Sequence, residues 1–197
     1  NLICRLYDAS EGTITFGDKN INQLNLSELR KNIGYVPQDG FLFSGTVKEN
    51  ICFGKDKFTY EEIKQASNTA EIDDEIENFP KKYDTIIGER GVQLSGGQRQ
   101  RISISRAIII NPLIYIFDDS LSAIDANKEQ KILKNLKSKT GKNTNIVISH
   151  RTSSLKNANH IIVLKNGEIS EEGTHKDLIK QNGFYAKMHK KQTNKNL

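Results

Sequence analysis

The rhythm of apolar and polar positions changes several times along the chain, and each change marks an element. Ile14 and Phe16 alternate with Thr13 and Thr15 ahead of Gly17-Asp18, which predicts a short hairpin over 13–21. Ser27 opens a short helix to Lys31, and Ile33–Val36 reads as a strand closed by Pro37. A helix-rich stretch follows. Within it, 46–53 is turn-rich, Thr59 and Glu62 form a capping box, and 73–79 is a third piece stopped by Pro80. Ser95 precedes a long helical run to about Ile110, ended by Asn111-Pro112. The continuous apolar run 113–117, ending in Asp118-Asp119, suits a buried parallel strand. An amphipathic helix over 128–139 puts Ile132, Leu133 and Leu136 on one face, and 145–149 reads as a second buried strand ending at His150. Asn166-Gly167, a favoured two-residue turn, joins 161–164 to 168–170, and Thr174 with Asp177 caps the last helix. The alternation predicts an α/β domain with a mostly parallel sheet. Residues 1–38 and 111–197 form its core, and 39–110 form an inserted helical lobe.

Composition narrows the class. The 197 residues fit one domain, and 36% hydrophobic with 27% charged residues argues against disorder. The longest apolar runs are split by Asn111-Pro112, whereas a membrane-spanning helix needs about 20 apolar residues in a row. The net charge of +5 admits anionic partners without selecting one, and Lys187, Lys190, Lys191 and Lys195 read as a solvated tail. Cys4 and Cys52 lack metal-type spacing and read as unpaired thiols of a reducing compartment. The start, Asn1 followed at once by Leu2, Ile3 and Leu6, reads as a chain entered mid-helix.

The strongest chemical signal is Leu94-Ser95-Gly96-Gly97-Gln98, followed by Arg99-Gln100-Arg101. A serine and two glycines at a helix start leave backbone N–H groups uncovered at the positive end of the helix dipole, a cradle for phosphate. Asp118 ends a buried strand at the carboxyl edge of a parallel sheet, where open α/β folds bind ligands and a carboxylate can hold Mg²⁺.

The five-residue string resembles the signature motif of ATP-binding cassette (ABC) proteins. Around it, Val36-Pro37-Gln38 resembles the Q-loop and 114–118 the Walker B strand. Ser122-Ala123-Ile124-Asp125 is similar to the D-loop, and Ser149-His150-Arg151 to the switch-histidine loop. Gly88-Glu89-Arg90-Gly91 resembles the X-loop of the exporter branch, and Glu172-Gly173-Thr174-His175 with Gly183-Phe184-Tyr185 its ending. The resemblance implies a P-loop NTPase fold, an ABC-type ATPase, and ATP with Mg²⁺ as ligands. Ser95, Gly96, Gly97, Gln98 and Asp125 would bind nucleotide. Asp118 and Gln38 would hold the metal, and Asp119, His150 and Gln38 would be catalytic. It implies a second ABC domain as partner, transmembrane segments in the same polypeptide or, as the alternative, in a separate chain, and a place on the cytoplasmic face of the cell membrane. X-loop residues Glu89 and Arg90 and the helical lobe would carry the coupling.

Two departures stand out. The family's base is a glutamate directly after the Walker B aspartate, and here it is Asp119. One methylene fewer withdraws the carboxylate by roughly 1.5 Å, and misplacements near 1 Å can cost about 100-fold. In the exporter branch this resembles the slow half of a heterodimer, whose intact signature completes the partner's site. Secondly, no Gly-rich phosphate loop with Lys and Ser/Thr is present, which implies a domain entered just after that loop, with an uncovered sheet edge and weak ATP binding in isolation. Two other classes compete: a regulatory module that senses ATP without hydrolysing it, and a soluble ABC ATPase acting on nucleic acid or ribosomes. Against the latter, the chain has no aromatic-rich basic face of the kind that binds nucleic acid.

Overall fold

The computed structural model describes residues 1–53, 58–88, 92–139 and 143–194. Its first residues form turns, not the predicted helix. The reason lies in their carbonyls. Arg30 takes Cys4 O at 3.1 Å and Arg5 O at 2.9 Å, so these oxygens serve a distant side chain instead of a helical ladder. Arg5, at φ 47°, in turn donates to Ile21 O and Leu24 O. The hairpin follows as β1 (Thr15–Phe16) and β2 (Lys19–Asn20). Helix α1 (Leu26–Lys31) starts one residue earlier than predicted, because the Asn25 side chain accepts from Ser27 N and Glu28 N and is the true cap.

Strand β3 (Ile33–Val36) leads into the helical stretch. There β4 (Gly45–Thr46) is followed by α2 (Val47–Cys52), α3 (Tyr60–Thr69), α4 (Asp73–Glu77), β5 (Ile86–Ile87) and α5 (Gly96–Ile109). The segment expected to be turn-rich is thus helical, fixed by a Thr46–Glu49 capping box like the Thr59–Glu62 box of α3. The remaining elements are β6 (Ile114–Asp118), α6 (Ala126–Lys139), β7 (Thr144–Ile148), α7 (Thr152–Leu155), β8 (Ile161–Lys165), β9 (Glu168–Gly173), α8 (His175–Gln181) and α9 (Phe184–Thr193). Thr174 and Asp177 cap α8, which is not the last helix, since α9 follows it.

The central sheet is parallel with order β3-β6-β7, Val36 facing Phe117 and Asp118 facing Ile148. In β6, Tyr115 and Phe117 point into the main core with α2, α3 and α5, while Ile116 points to the opposite face, against Cys4, Ile21, Leu29 and Ile33. Gly34 lets α5 and the following loop close onto β3. A Cβ there would lie 2.8 Å from Pro112 Cγ and 2.9 Å from Ala107 O. Strand β7 is not buried as expected. It is an edge strand among the described residues, with Thr144 and Asn145 exposed and Ile148 48% exposed. A third cluster, Ile161, Val163, Leu178 and Tyr185, fastens α8 and α9 to the β8–β9 hairpin.

Candidate functional site

Three neighbouring parallel strands end on one edge, and the residues at or just past the ends are Gln38, Asp118-Asp119 and Ser149-His150. Tyr35 donates to Asp118 Oδ2 at 3.0 Å, which fixes that carboxylate and leaves its other oxygen for a ligand. Asp119 continues the ladder by donating its N–H to Ile148 O at 2.9 Å. Its φ of 47° lies in the left-handed region, where Asp and Asn are tolerated better than longer side chains. Ser122 then closes the turn through its N–H and hydroxyl, both onto Asp119 O. The Gln38 and His150 side chains are exposed. Gln100, buried within α5, holds the backbone at Gln38, donating to Pro37 O and Gln38 O at 3.1 Å each.

The second group sits at the start of α5. Ser95 accepts from Gln98 N at 3.2 Å and Gln98 Oε1 accepts from Ser95 N at 2.9 Å, a complete capping box. Gln98 also donates to Glu75 Oε2 at 2.9 Å, and Arg101 and Lys128 both donate to Glu75 Oε1. Burial alone pushes the Glu75 carboxyl up. The Lys128 and Gln98 hydrogen bonds and the Arg101 charge outweigh it and hold the group below its ordinary range. One carboxylate of α4 thereby joins the start of α5 to the start of α6. Gly97 faces the loop before α6 closely, since a Cβ there would lie 3.1 Å from Ala123 O. Asp125 accepts from Lys128 N at 3.0 Å, a bond that holds its carboxyl low. Arg151 closes this region by donating to Ser122 O, Ile124 O and Glu129, whose side chain is buried.

The profile of the ABC transporter family matches residues 1–122. The chain belongs to the ABC transporter family. It is 46% identical over 190 residues to the probable multidrug resistance ABC transporter ATP-binding/permease protein YheI of Bacillus subtilis, covering 96% of this chain and 32% of that protein. It is 45% identical over 185 residues to ABC transporter ATM1 of Toxoplasma gondii, covering 93% of this chain and 16% of the relative. The structure of a bacterial Atm1-family ABC exporter with ATP bound superposes with a TM-score of 0.92 at 40% identity, over 98% of this chain and 34% of that one. The chain therefore spans about a third or less of the length of these relatives. The α/β fold with a parallel sheet is the ABC nucleotide-binding fold.

In this ABC domain the structure brings Gln38, Asp118, Asp119 and His150 to one sheet edge, and places Ser95, Gly96, Gly97 and Gln98 at a helix start beside the Ala123 loop. Glu89 and Arg90 lie outside the described residues. The donors at the edge suit Mg²⁺, which takes one or two carboxylates plus waters and phosphate oxygens rather than a full protein cage. Sequence reasoning missed Tyr35, Glu75, Gln100 and Arg151. The Glu in 73–79 and the Gln and Arg after the signature were visible, but nothing local pairs them with partners 26 to 63 residues away.

Proposed function

We propose that this chain is the ATP-binding and ATP-hydrolysing part of an ABC exporter, and that its own site is the slow one of two unequal sites. The observation that carries this is the contrast between a fully formed Ser95–Gln98 cap and a shortened base. Asp119 sits at a left-handed position that favours its short side chain. The Gly96 and Gly97 N–H groups and the Ser95 hydroxyl would receive the γ-phosphate of ATP held by a partner domain facing this one head to tail. On this chain, Gln38 and Asp118 would hold Mg²⁺, which when bound neutralises charge on the phosphates. Asp119 would orient the attacking water at reduced efficiency, and His150 would hold the γ-phosphate side of it. Asp125 would stiffen the loop that meets the partner.

The exposed aromatic cluster just after Gln38 supports coupling to membrane segments. Phe43 and Phe53 stack at 4.2 Å with Arg106 over both rings, and Phe41 is 63% exposed. Among the described residues no helix is long and apolar enough to cross a membrane. The name ATP-binding/permease of the Bacillus relative supports a transmembrane part in the same full-length polypeptide, with this domain on the cytoplasmic face.

In the complete transporter purified with its partner, replacing the partner's catalytic glutamate should remove most ATPase activity. Asp119→Asn should remove little. If Asp119→Asn is equally crippling, the unequal-site reading is wrong. The left-handed Asp119 also favours a second reading, a module that binds ATP without hydrolysing it. Single-turnover kinetics of the same complex separates the two.

A further inference from the structure

The side chain of Gln192, near the end of α9, reaches the switch loop with both ends of its amide. Oε1 accepts from Thr152 N at 2.9 Å and from Thr152 Oγ1 at 3.0 Å, while Nε2 donates to His150 O at 2.7 Å. The amide orientation is set by these partners. Reversing it would place N–H against N–H and oxygen against oxygen. Since the Thr152 hydroxyl gives its proton to Gln192, its lone pair faces His189 Nδ1 at 2.9 Å, which therefore carries the hydrogen. Thr152 is 1% exposed and opens α7, where Arg151 supplies no side-chain cap. Its N–H is one of the orphan donors of a helix start, and another helix supplies the acceptor.

The support behind Gln192 is firm. Tyr185, Met188 and Gln192 fall on one face of α9, and Tyr185 is 1% exposed within the cluster that binds α8 and α9 to the β8–β9 hairpin. On the other side of the same three residues, Arg151 reaches Ser122 O and Ile124 O. The backbone of 150–152 is thus gripped from α9 and from the loop before α6, while the His150 ring stays exposed. The arrangement fixes where the ring starts from without occupying its nitrogens.

We propose that Gln192 is a positioning residue for His150, and that α9 is thereby part of the nucleotide machinery instead of a terminal packing element. This rests on the reading of His150 as a γ-phosphate contact. The test uses the complete transporter with the partner's own base removed, so that only this chain's site turns over, followed by single-turnover ATP hydrolysis. Gln192→Ala should lower the rate about tenfold, with half-saturating ATP within about twofold, as expected when a group is misplaced by under 1 Å but binding contacts persist. Gln192→Glu keeps the acceptor, loses the donor and sets a carboxylate against His150 O, so it should fall likewise. In a His150→Ala background, Gln192→Ala should add no further loss, because its effect passes through the ring. Hydrogen exchange at the Thr152 amide should rise in Gln192→Ala and stay slow in Gln192→Glu. If the losses of Gln192→Ala and His150→Ala add, or if Gln192→Ala leaves the rate unchanged while His150→Ala abolishes it, the positioning role is overturned. If His150→Ala itself changes nothing, the reading of the site fails, and the positioning role with it.

Discussion

Glu75 receives Gln98, Arg101 and Lys128 at once, so its removal tests how the signature helix is held to the rest of the domain. Arg101 is 5% exposed, and its Nε already lacks a partner. Among the described residues Glu75 is its ion-pair partner, at 2.6 Å. Breaking a fully buried pair from one side costs about 3–5 kcal/mol. The Glu75 side chain is 28% exposed and water reaches it, which lowers the expected loss for Glu75→Ala to about 2–3 kcal/mol. For a chain of this size that is a fall in Tm of about 5–10 °C. The pH dependence has a definite sign. The folded carboxyl lies below its ordinary value of 4.5, so the stabilisation is present in full above that value and is lost as pH falls through the folded pKa. Thermal unfolding followed by circular dichroism at pH 7 and near pH 3 reads both effects. The wild-type and Glu75→Ala curves should be well separated at pH 7 and converge in acid. Glu75→Gln, which keeps the acceptor oxygen without the charge, should fall between them. A separation under about 2 °C at pH 7 would refute the reasoning, since it would mean the Arg101 charge needs no partner. An unchanged separation in acid would refute the electrostatic assignment.

Two further substitutions probe the sheet edge and the α5 start proposed to meet nucleotide. Tyr35→Phe removes the hydroxyl that holds Asp118 and should weaken Mg-ATP binding to the complete transporter about 3- to 10-fold, the worth of one hydrogen bond. Calorimetry with and without Mg²⁺ checks it, and the effect should disappear without the metal. Gly97→Ala puts a Cβ 3.1 Å from Ala123 O, so the loop before α6 must retreat by a few tenths of an ångström. Turnover at the partner's site should fall at least about tenfold while stability in chemical denaturation changes by no more than about 1 kcal/mol, the scale of the glycine-to-alanine difference in a helix.

What the amino-acid order determined by itself was local. Asn166-Gly167 dictated a hairpin turn, with both residues at positive φ, and Ser95 with Gln98 dictated where α5 begins. The apolar run before Asp118 was legible as a buried parallel strand, because a strand covered on both faces needs no alternation. The edge at which Gln38, Asp118, Asp119 and His150 meet followed from the parallel order of those strands and from family resemblance. Tertiary structure decided the rest. The turn at Arg5 arises because Arg30, 25 residues on, claims its carbonyl. Strand β7 is apolar in composition yet half exposed, since exposure depends on what covers a face and not on what the face is made of. The left-handed backbone of Asp119 is set by the pull of Ile148 and Ser122 on its own N–H and carbonyl. Gln192 stands 40 residues from Thr152, and no periodicity of 2 or 3.6 links positions so far apart. Short-range rules place caps, turns and strands. Which side chain holds the loops at the strand ends is decided only when packing brings distant segments within hydrogen-bond reach.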